Sequence, residues 1–264
     1  MLYVRDFNYR TIALTLRKKM LKRQDTHIVA VHQPNFFPWF GYFVKIALSD
    51  TFILLDDVQI PWRGYTRRTK IRRPGNDPLL EWCPVIIPSG YTYAGINKIP
   101  LDDRRQWQGE LSGRLESRYR SGAGFKELFP RVQAWLNNGA TNLATYNTAI
   151  IRNIMDLMDI RKELNVSSDY PVSSSGSARI VELMQYFGGN VYLSGRGGNK
   201  YHRENDFIEA GIKIIEVPNL LESPLLMEVE GINPEASILE WLFMLGIDRT
   251  REFFYKYLDT IVIG

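Results

Sequence analysis

The sequence predicts an α/β protein whose core is a parallel, Rossmann-like sheet with a helical insertion or subdomain. Residues 28–31 form a short β-branched run, residues 39–48 repeat apolar side chains at helical spacing, and residues 51–55 form a second apolar run. This order is typical of two parallel strands joined by a right-handed helical crossover. Two more short apolar runs, at 190–194 and 212–217, are the expected further strands.

The segment that follows this first unit is predicted to be a loop and then two strands. Residues 61–80 are polar, first basic and then rich in Pro and Gly, which is typical of a loop. The apolar residues within 80–87 and within 96–101 predict one short strand each.

Helices are predicted in three other regions. Residues 103–160 have a helical pattern with breaks near 121–122 and 137–139, which predicts three helices and makes this region the insertion or subdomain. Residues 177–188 predict one amphipathic helix, and residues 235–258 predict two more.

Composition and charge narrow the class of protein. With 264 residues, 45% of them apolar, the chain is long enough for one large domain, predicted at 28–264, after a basic N-terminal extension at 1–27. The single cysteine, Cys83, excludes an internal disulfide and favours a reducing, cytoplasmic setting. No apolar run approaches the roughly 18 residues that a membrane-spanning helix needs, so we expect no membrane span.

A first group of polar side chains follows the first predicted strand. His32, Gln33 and Asn35 lie in a segment that contains two prolines, and prolines lower the cost of holding a loop in one shape. Histidine can accept or donate a proton near neutral pH, and the two amides can bind a carbonyl, amide or hydroxyl. We predict a functional site here, with Gln33, Asn35 and Trp39 as candidate substrate contacts. The alternative is a histidine that caps strand-end backbone groups while the nearby aromatics, Trp39 among them, form core.

A second group follows the second predicted strand. Asp56, Asp57 and Gln59 lie at the carboxyl end of a parallel strand, where α/β proteins bind ligands. Adjacent carboxylates suit an amine, a sugar hydroxyl or a metal ion. Because successive side chains of a strand point in opposite directions, we expect one carboxylate to face the site and the other to cap backbone groups. No third carboxylate is fixed by spacing, so a magnesium site stays an alternative, no metal ligands are named, and the cofactor is left open.

Basic residues dominate the predicted loop that starts at residue 61. Arg63, Arg67, Arg68 and Lys70 match the chemistry of a phosphate or another anion, and the interleaved Tyr65 suggests a flat ring or sugar. A solvated loop is the alternative. Nucleic-acid binding is the weaker interpretation, because the net charge is only +4.

A glycine-rich segment follows the strand predicted at 190–194. Glycines after a strand let backbone amides approach an anion, so Ser194, Gly195, Arg196 and Tyr201 are candidate substrate contacts. The spacing matches neither a Walker motif nor G-x-G-x-x-G, and a tight connection without a ligand is the alternative. The counts of one cysteine and three histidines argue against a structural zinc site, and Cys83 fits a packed position.

Four blocks of this sequence resemble the WbqC-like family. They are "VHQPNFFPWFGYFVKIALSDTFILLDDVQ" at 31–59, "RRTKI" at 67–71, "VYLSGRGGNKY" and "FIEAGIKI" within 191–214, and "ASILEWLFMLG" at 236–246. The resemblance places the following residues on motif positions: His32, Gln33, Pro34, Asn35, Asp56, Asp57, Gln59, Lys70, Ser194 and Gly195.

The resemblance implies an acyl- or aminoacyl-transferase that modifies an amino group of an amino sugar in bacterial surface-polysaccharide (O-antigen) biosynthesis. A nucleotide-linked sugar as the substrate would explain the basic residues. On this reading, the catalytic residues are His32, which takes the proton from the attacking amine, and Asp56 and Asp57, which orient the amine or sugar hydroxyls. The expected partners are small molecules, a nucleotide-sugar and an acyl donor.

Two alternatives stay open at this point. One is a non-catalytic module that binds a nucleotide-sugar or a carrier within a biosynthetic complex. The other is an ATP-dependent amide-forming ligase, because a strand, a histidine-containing loop, a helix and a later basic segment resemble the core of HIGH-type nucleotidyltransferases. There His32 would stabilise ATP phosphates together with Arg67, Arg68 and Lys70.

Overall fold

A five-stranded parallel sheet forms the centre of the structure, a computed structural model that describes residues 26–61, 63–75, 79–91, 93–101, 106–195 and 203–261. The spatial order of its strands is β5-β2-β1-β6-β7. The strands are β1 (Ile28–His32), β2 (Thr51–Leu54), β5 (Leu164–Val166), β6 (Val191–Ser194) and β7 (Lys213–Glu216). Counted along the chain this is the order 3-2-1-4-5 of Rossmann-like sheets, so the predicted fold class is confirmed.

The direction of chain progression reverses beside β1. From β1 the chain moves outward to β2 and β5 on one side, and it later returns to β6 and β7 on the other side. β1 and β2 are paired from Val29 to His32, whereas the pairing of β1 with β6 covers only Ile28 and Val29. A crevice at the carboxyl ends of β1 and β6 is therefore the expected ligand site of this topology.

Eight helices lie in the described segments and cover both faces of the sheet. The larger core contains residues of α1, α2, α3, α4, α7 and α8, and the smaller core packs α5 and α6 against the opposite face. The helices are α1 (Phe40–Leu48), α2 (Gln106–Tyr119), α3 (Phe125–Leu136), α4 (Leu143–Leu157), α5 (Gly176–Tyr186), α6 (Glu204–Glu209), α7 (Ile238–Leu245) and α8 (Ile247–Thr260). The three helices predicted within 103–160 are thus confirmed, as are those at 177–188 and 235–258.

The predicted loop at 61–80 is wrong in part, because an antiparallel hairpin begins inside it. β3 (Arg68–Arg72) pairs with β4 (Leu80–Pro84) in a separate two-stranded sheet. Thr69 and Ile71 are buried, while the basic residues that alternate with them along β3 point to the other face. The basic side chains are therefore held on a strand.

One further predicted strand is wrong, and one observed strand was not predicted. The segment Ile96–Lys98 is a turn of 3-10 helix, and Ile96 and Ile99 are buried in the larger core without joining a sheet. β5 was not predicted, because three residues are too few to show a period. Cys83 is buried in β4, as expected.

Part of the predicted organisation concerns residues outside the described segments. Of the N-terminal extension, residues 1–25 lie outside them, so that boundary and the single domain at 28–264 stay predictions. Among the helices that are described, none combines the length and hydropathy that crossing a bilayer requires.

Candidate functional site

His32 is the last residue of β1 and stands at the crevice edge of the sheet. Its side chain is half-buried, and its ring meets the edges of two aromatic rings, with centroids 4.9 Å from Tyr42 and 5.8 Å from Trp39. Nδ1 lies 3.2 Å from the carbonyl oxygen of Gln33. Because a carbonyl only accepts, the neutral ring carries its proton on Nδ1, and Nε2 keeps a lone pair.

The environment of His32 favours the neutral imidazole. Burial, and after it the positive charge of Lys45, lower the pKa of His32 to about 3, although the contact with the Gln33 carbonyl opposes the change. At neutral pH the free protein therefore presents Nε2 as a hydrogen-bond acceptor.

The loop after His32 is fixed by side chains from distant parts of the chain. Thr66 Oγ1 lies 3.0 Å from Gln33 Oε1 and 3.2 Å from Asn35 Oδ1, so its single proton is shared between the two amides. Asn147 of α4 is buried, and its Nδ2 donates to Pro34 O at 2.8 Å and to Thr66 O at 2.7 Å. The side chains of Gln33 and Asn35 therefore both contact the Thr66 hydroxyl, and these hydrogen bonds hold the loop.

The middle of the same loop has an unusual backbone. Phe37 is fully buried with φ at 40°, a left-handed conformation that is rare for a residue with a bulky side chain. The hydroxyls of Thr69 and Ser237 both donate to its carbonyl, at 2.8 Å and 2.9 Å. β3 and the start of α7 thus stabilise this conformation, which is a local strain of the kind found near functional sites.

An aromatic wall leads from His32 to the hairpin. Its members are Trp39, Tyr65 and Trp82, with ring centroids 4.7 Å apart for the first pair and 5.0 Å for the second. Lys70 Nζ lies 5.2 Å from the Trp82 ring centroid, and the Arg68 guanidinium lies 3.8 Å from the same ring. Within the described segments Lys70 has no carboxylate partner, so the wall presents flat rings beside a positive charge.

The carboxylate of Asp56 is engaged by neighbouring groups. Asp56 is buried and accepts from the backbone N–H of Ser168 at 3.0 Å and from its hydroxyl at 2.7 Å. The hydroxyl of Ser167 is 3.2 Å from Asp56 Oδ1, and Asn97 Nδ2 is 3.3 Å from Oδ2. Asp56 therefore anchors the turn after β5.

Asp57 is likewise paired with protein groups. It accepts from Ser167 Oγ and forms an ion pair with Arg179 of α5. The guanidinium of Arg179 also donates to the carbonyls of Val172 and Ser174 at 3.0 Å and 3.3 Å. Both carboxylates of the pair are thus used by the protein itself, and the division into one facing residue and one capping residue stays a prediction.

The remaining predicted residues are dispersed. Gln59 is exposed, and its backbone bridges Gly95. Arg63 is exposed, and its carbonyl accepts from Arg68. Arg67 is half-buried at the end of the 3-10 turn Tyr65–Arg67.

The end of β6 holds two of the predicted glycine-segment residues. Ser194 is buried, with its hydroxyl 3.2 Å from the carbonyl oxygen of Gly195. A Cβ placed at Gly195 would meet no atom of the described structure within 4 Å, so there is open space at this point. Arg196 and Tyr201 lie outside the described residues.

Lys45 is a residue of the site that sequence reasoning missed. It belongs to α1, is 3% exposed, and its Nζ donates to Val31 O at 2.8 Å. Burial lowers the pKa of Lys45 to about 7. Helical periodicity places a lysine on the solvent face by default, whereas the nine-residue helix that carries Lys45 is buried almost throughout by tertiary contacts.

The described part of the chain contains no group of three or more His, Cys, Asp or Glu side chains placed to hold a metal ion. The described segments bring the neutral imidazole of His32, the buried amine of Lys45, the loop amides and the aromatic wall with its cations to this edge of the sheet.

Comparisons with known proteins place these residues in a family context. The profile of the WbqC-like protein family matches residues 33–252. The protein Rv1507c of Mycobacterium tuberculosis is 28% identical over 223 residues, which cover 83% of this chain and 94% of that protein. No solved structure gives a significant match. Because the family profile spans well over half of the sequence, the chain belongs to the WbqC-like protein family.

Proposed function

We propose that this protein transfers an acyl or aminoacyl group to the amino group of a nucleotide-linked amino sugar, as a step of bacterial surface-polysaccharide biosynthesis. The observation that carries the proposal is the position of His32, with its Nε2 lone pair, at the crevice beside the aromatic wall of Trp39, Tyr65 and Trp82. Flat rings next to Lys70, which has no carboxylate partner within the described segments, suit a nucleotide base or sugar with its phosphates.

The proposed step joins the amine to an activated acyl group, either a thioester or an acyl-adenylate. The amine nitrogen attacks the acyl carbon, the new C–N bond forms, and the bond from that carbon to sulfur or to the phosphate oxygen breaks. His32 Nε2 accepts the proton that the nitrogen loses, and the leaving group departs with the bonding electrons.

The low pKa of His32 defines what this role requires. A base with a pKa of about 3 takes up a proton poorly at neutral pH. A substrate with negative charge close to the imidazole would raise that pKa, because opposite charge favours the protonated ring. On this proposal the anionic substrate itself activates the base.

The same observation favours a second candidate, a non-catalytic module that binds the nucleotide-sugar. His32 would then serve only as a hydrogen-bond acceptor, and the paired Asp56 and Asp57 would only hold the turn after β5 and the start of α5. This candidate predicts binding of the nucleotide-sugar without product.

A thermal-shift panel followed by an assay for product separates the two candidates. The panel contains nucleotide-linked amino sugars, coenzyme A thioesters, and ATP with and without magnesium. A ligand at about 100 times its Kd adds about 2.7 kcal/mol of stability. A response to ATP favours the adenylate route, and a response to a thioester or a nucleotide-sugar alone favours direct transfer.

The matched pair His32→Gln and His27→Gln then tests the catalytic role. Both histidines flank β1, but His27 stands at its amino end, where it contacts Thr51. We expect His32→Gln to lower turnover roughly 10²- to 10⁴-fold while His27→Gln leaves turnover unchanged. Turnover of His32→Gln close to that of the wild type contradicts the proposed base, and binding with no product in either protein supports the module.

A further inference from the structure

The ladder between β1 and β6 opens at the crevice. Its last pair is Val29 with Tyr192. If the register continued, Val31 would lie opposite Ser194. Both strands therefore extend beyond their last paired residues. The gap faces the site because the carboxyl ends of parallel strands lie at one edge of a sheet.

The backbone at this gap has a carbonyl that turns toward β6. Leu55 N donates to His32 O at 2.8 Å, so the carbonyl of His32 faces β2. Successive carbonyls of a strand point to opposite edges, which directs Val31 O toward β6. Lys45 Nζ occupies the position of the missing ladder donor and binds Val31 O at 2.8 Å.

Lys45 is a buried cation with no carboxylate partner in the described segments. Its hydrogen bond to Val31 satisfies one of three N–H donors, and its Nζ lies 5.8 Å from the centroid of the Tyr192 ring. Burying an uncompensated ammonium costs several kcal/mol. An amine kept in such a place at a ligand-binding edge is a candidate for function.

The titratable groups around Lys45 come from three elements. His32 at the end of β1 is close enough for the charge of Lys45 to lower its pKa. Tyr192 faces the amine from β6, and burial raises the pKa of its phenol, so it stays neutral. Tyr42, on the same helix as Lys45, contacts the His32 ring and is also kept neutral by burial. Among the described residues, these three side chains therefore bring no negative charge to Lys45.

We propose that Lys45 supplies the positive charge for an anionic group, the diphosphate of a nucleotide-linked sugar, that binds beside His32 in the crevice between β1 and β6, and that binding draws a proton onto Lys45. The choice of a diphosphate rests on the proposed function, whereas the anion site rests on the geometry of Lys45 and His32. Negative charge next to the amine favours its protonated form, so affinity and proton uptake are linked.

Isothermal titration calorimetry of the full chain with UDP at pH 8, once in Tris and once in HEPES buffer, tests the proposal. These buffers differ in their enthalpy of ionisation, so the difference in heat gives the number of protons taken up. We expect about one proton per UDP at pH 8, where most Lys45 is neutral in the free protein, and little uptake by Lys45 at pH 6. Pyrophosphate should behave like UDP, and uridine should bind without uptake.

Variants at position 45 separate charge from titration. Lys45→Met should weaken UDP binding about 10- to 100-fold and abolish the uptake. Lys45→Arg keeps a charge that does not titrate, so it should bind UDP without proton uptake. The exposed Lys126 of α3 provides the control, and Lys126→Met should match the wild type. If Lys45→Met fails to fold, the comparison of proton uptake between the wild type and Lys45→Arg still tests the proposal.

The outcomes distinguish this inference from the proposed function. UDP binding with no proton uptake and no loss in Lys45→Met overturns the inference but leaves the transferase proposal standing. Binding of pyrophosphate with uptake, while no nucleotide-linked amino sugar binds more tightly than pyrophosphate, supports the anion site and contradicts the proposed substrate. No binding of UDP or pyrophosphate overturns the inference.

Discussion

Asn147 Nδ2 donates a hydrogen bond of 2.8 Å to the carbonyl of Pro34, and this contact ties α4 to the loop after His32. The same amide donates to Thr66 O, so one buried side chain joins α4, the loop and the segment before the hairpin. The site therefore depends on a residue that is more than 100 positions from the loop it supports.

Asn147→Leu should destabilise the protein, because it leaves the carbonyls of Pro34 and Thr66 without their donor. An unsatisfied buried acceptor costs about 1–3 kcal/mol. Urea unfolding should show a lower midpoint at an unchanged slope. Asn153→Leu on the same helix is the control, since Asn153 is half-buried and its side chain makes no hydrogen bond within the described segments. Equal midpoints for the two variants would contradict the role of Asn147.

His32 should make the protein sensitive to acid. Its pKa is about 3 in the folded state against an ordinary value of 6.5, so between these values the unfolded state binds the additional proton. The free energy of unfolding therefore falls as pH falls through this window, by about 1.4 kcal/mol per pH unit for this group. His32→Gln lacks this contribution. Its free energy of unfolding should therefore rise relative to that of the wild type as the pH falls from 6.5 to 4.5.

His27→Gln is the control for this measurement, because it removes a histidine from the other end of the same strand. Its free energy of unfolding is measured over the same pH range. A difference between His32→Gln and the wild type that does not change with pH would show that His32 titrates normally in the folded protein.

The strand–helix–strand unit and His32 could be predicted because their signals are local. Runs of β-branched residues, a helical period and a histidine at a strand end are all contained within about 30 positions. β3 was missed although Thr69 and Ile71 alternate with basic residues, because Gly and Pro nearby dominate the pattern. Its position depends on pairing with β4, which a local pattern does not contain.

Lys45 and Asn147 were missed for a different reason. Helical periodicity predicts that a lysine lies on the solvent face, since a buried ammonium is costly. Lys45 is buried because the opening between β1 and β6 offers it the carbonyl of Val31. Asn147 has partners only because α4 packs beside the loop. Both positions are set by tertiary contacts.

Lys45 should lower stability most at neutral and acidic pH. Its pKa is about 7 in the folded state and 10.5 ordinarily, so between these values the unfolded state binds more protons and stability rises with pH, by about 1.4 kcal/mol per unit for this group. Below pH 7 both states are protonated and the full penalty is present. Lys45→Met should therefore be more stable than the wild type at pH 6, with a gain that shrinks toward pH 10.

Urea unfolding at pH 6 and pH 9 measures this difference, with Lys126→Met on α3 as the control. Lys126 is exposed, so its replacement should change stability by less than about 0.5 kcal/mol at either pH. A gain for Lys45→Met that is the same at both pH values would mean that Lys45 keeps its ordinary pKa.

Arg72→Met should destabilise the protein strongly, because Glu240 is fully buried and pairs with Arg72. Removing one partner of a buried pair costs about 3–5 kcal/mol. Tyr119 donates to Glu240 at 2.9 Å and loses this acceptor in the double variant Arg72→Met with Glu240→Leu, so the double variant should recover only part of the loss. Urea unfolding measures the stability of the wild type and of the two variants.

Arg131 and Glu127 form an exposed pair on α3, and Arg131→Met should change stability by less than about 1 kcal/mol. A loss for Arg72→Met no larger than that for Arg131→Met would show that the buried pair does not hold the hairpin to α7.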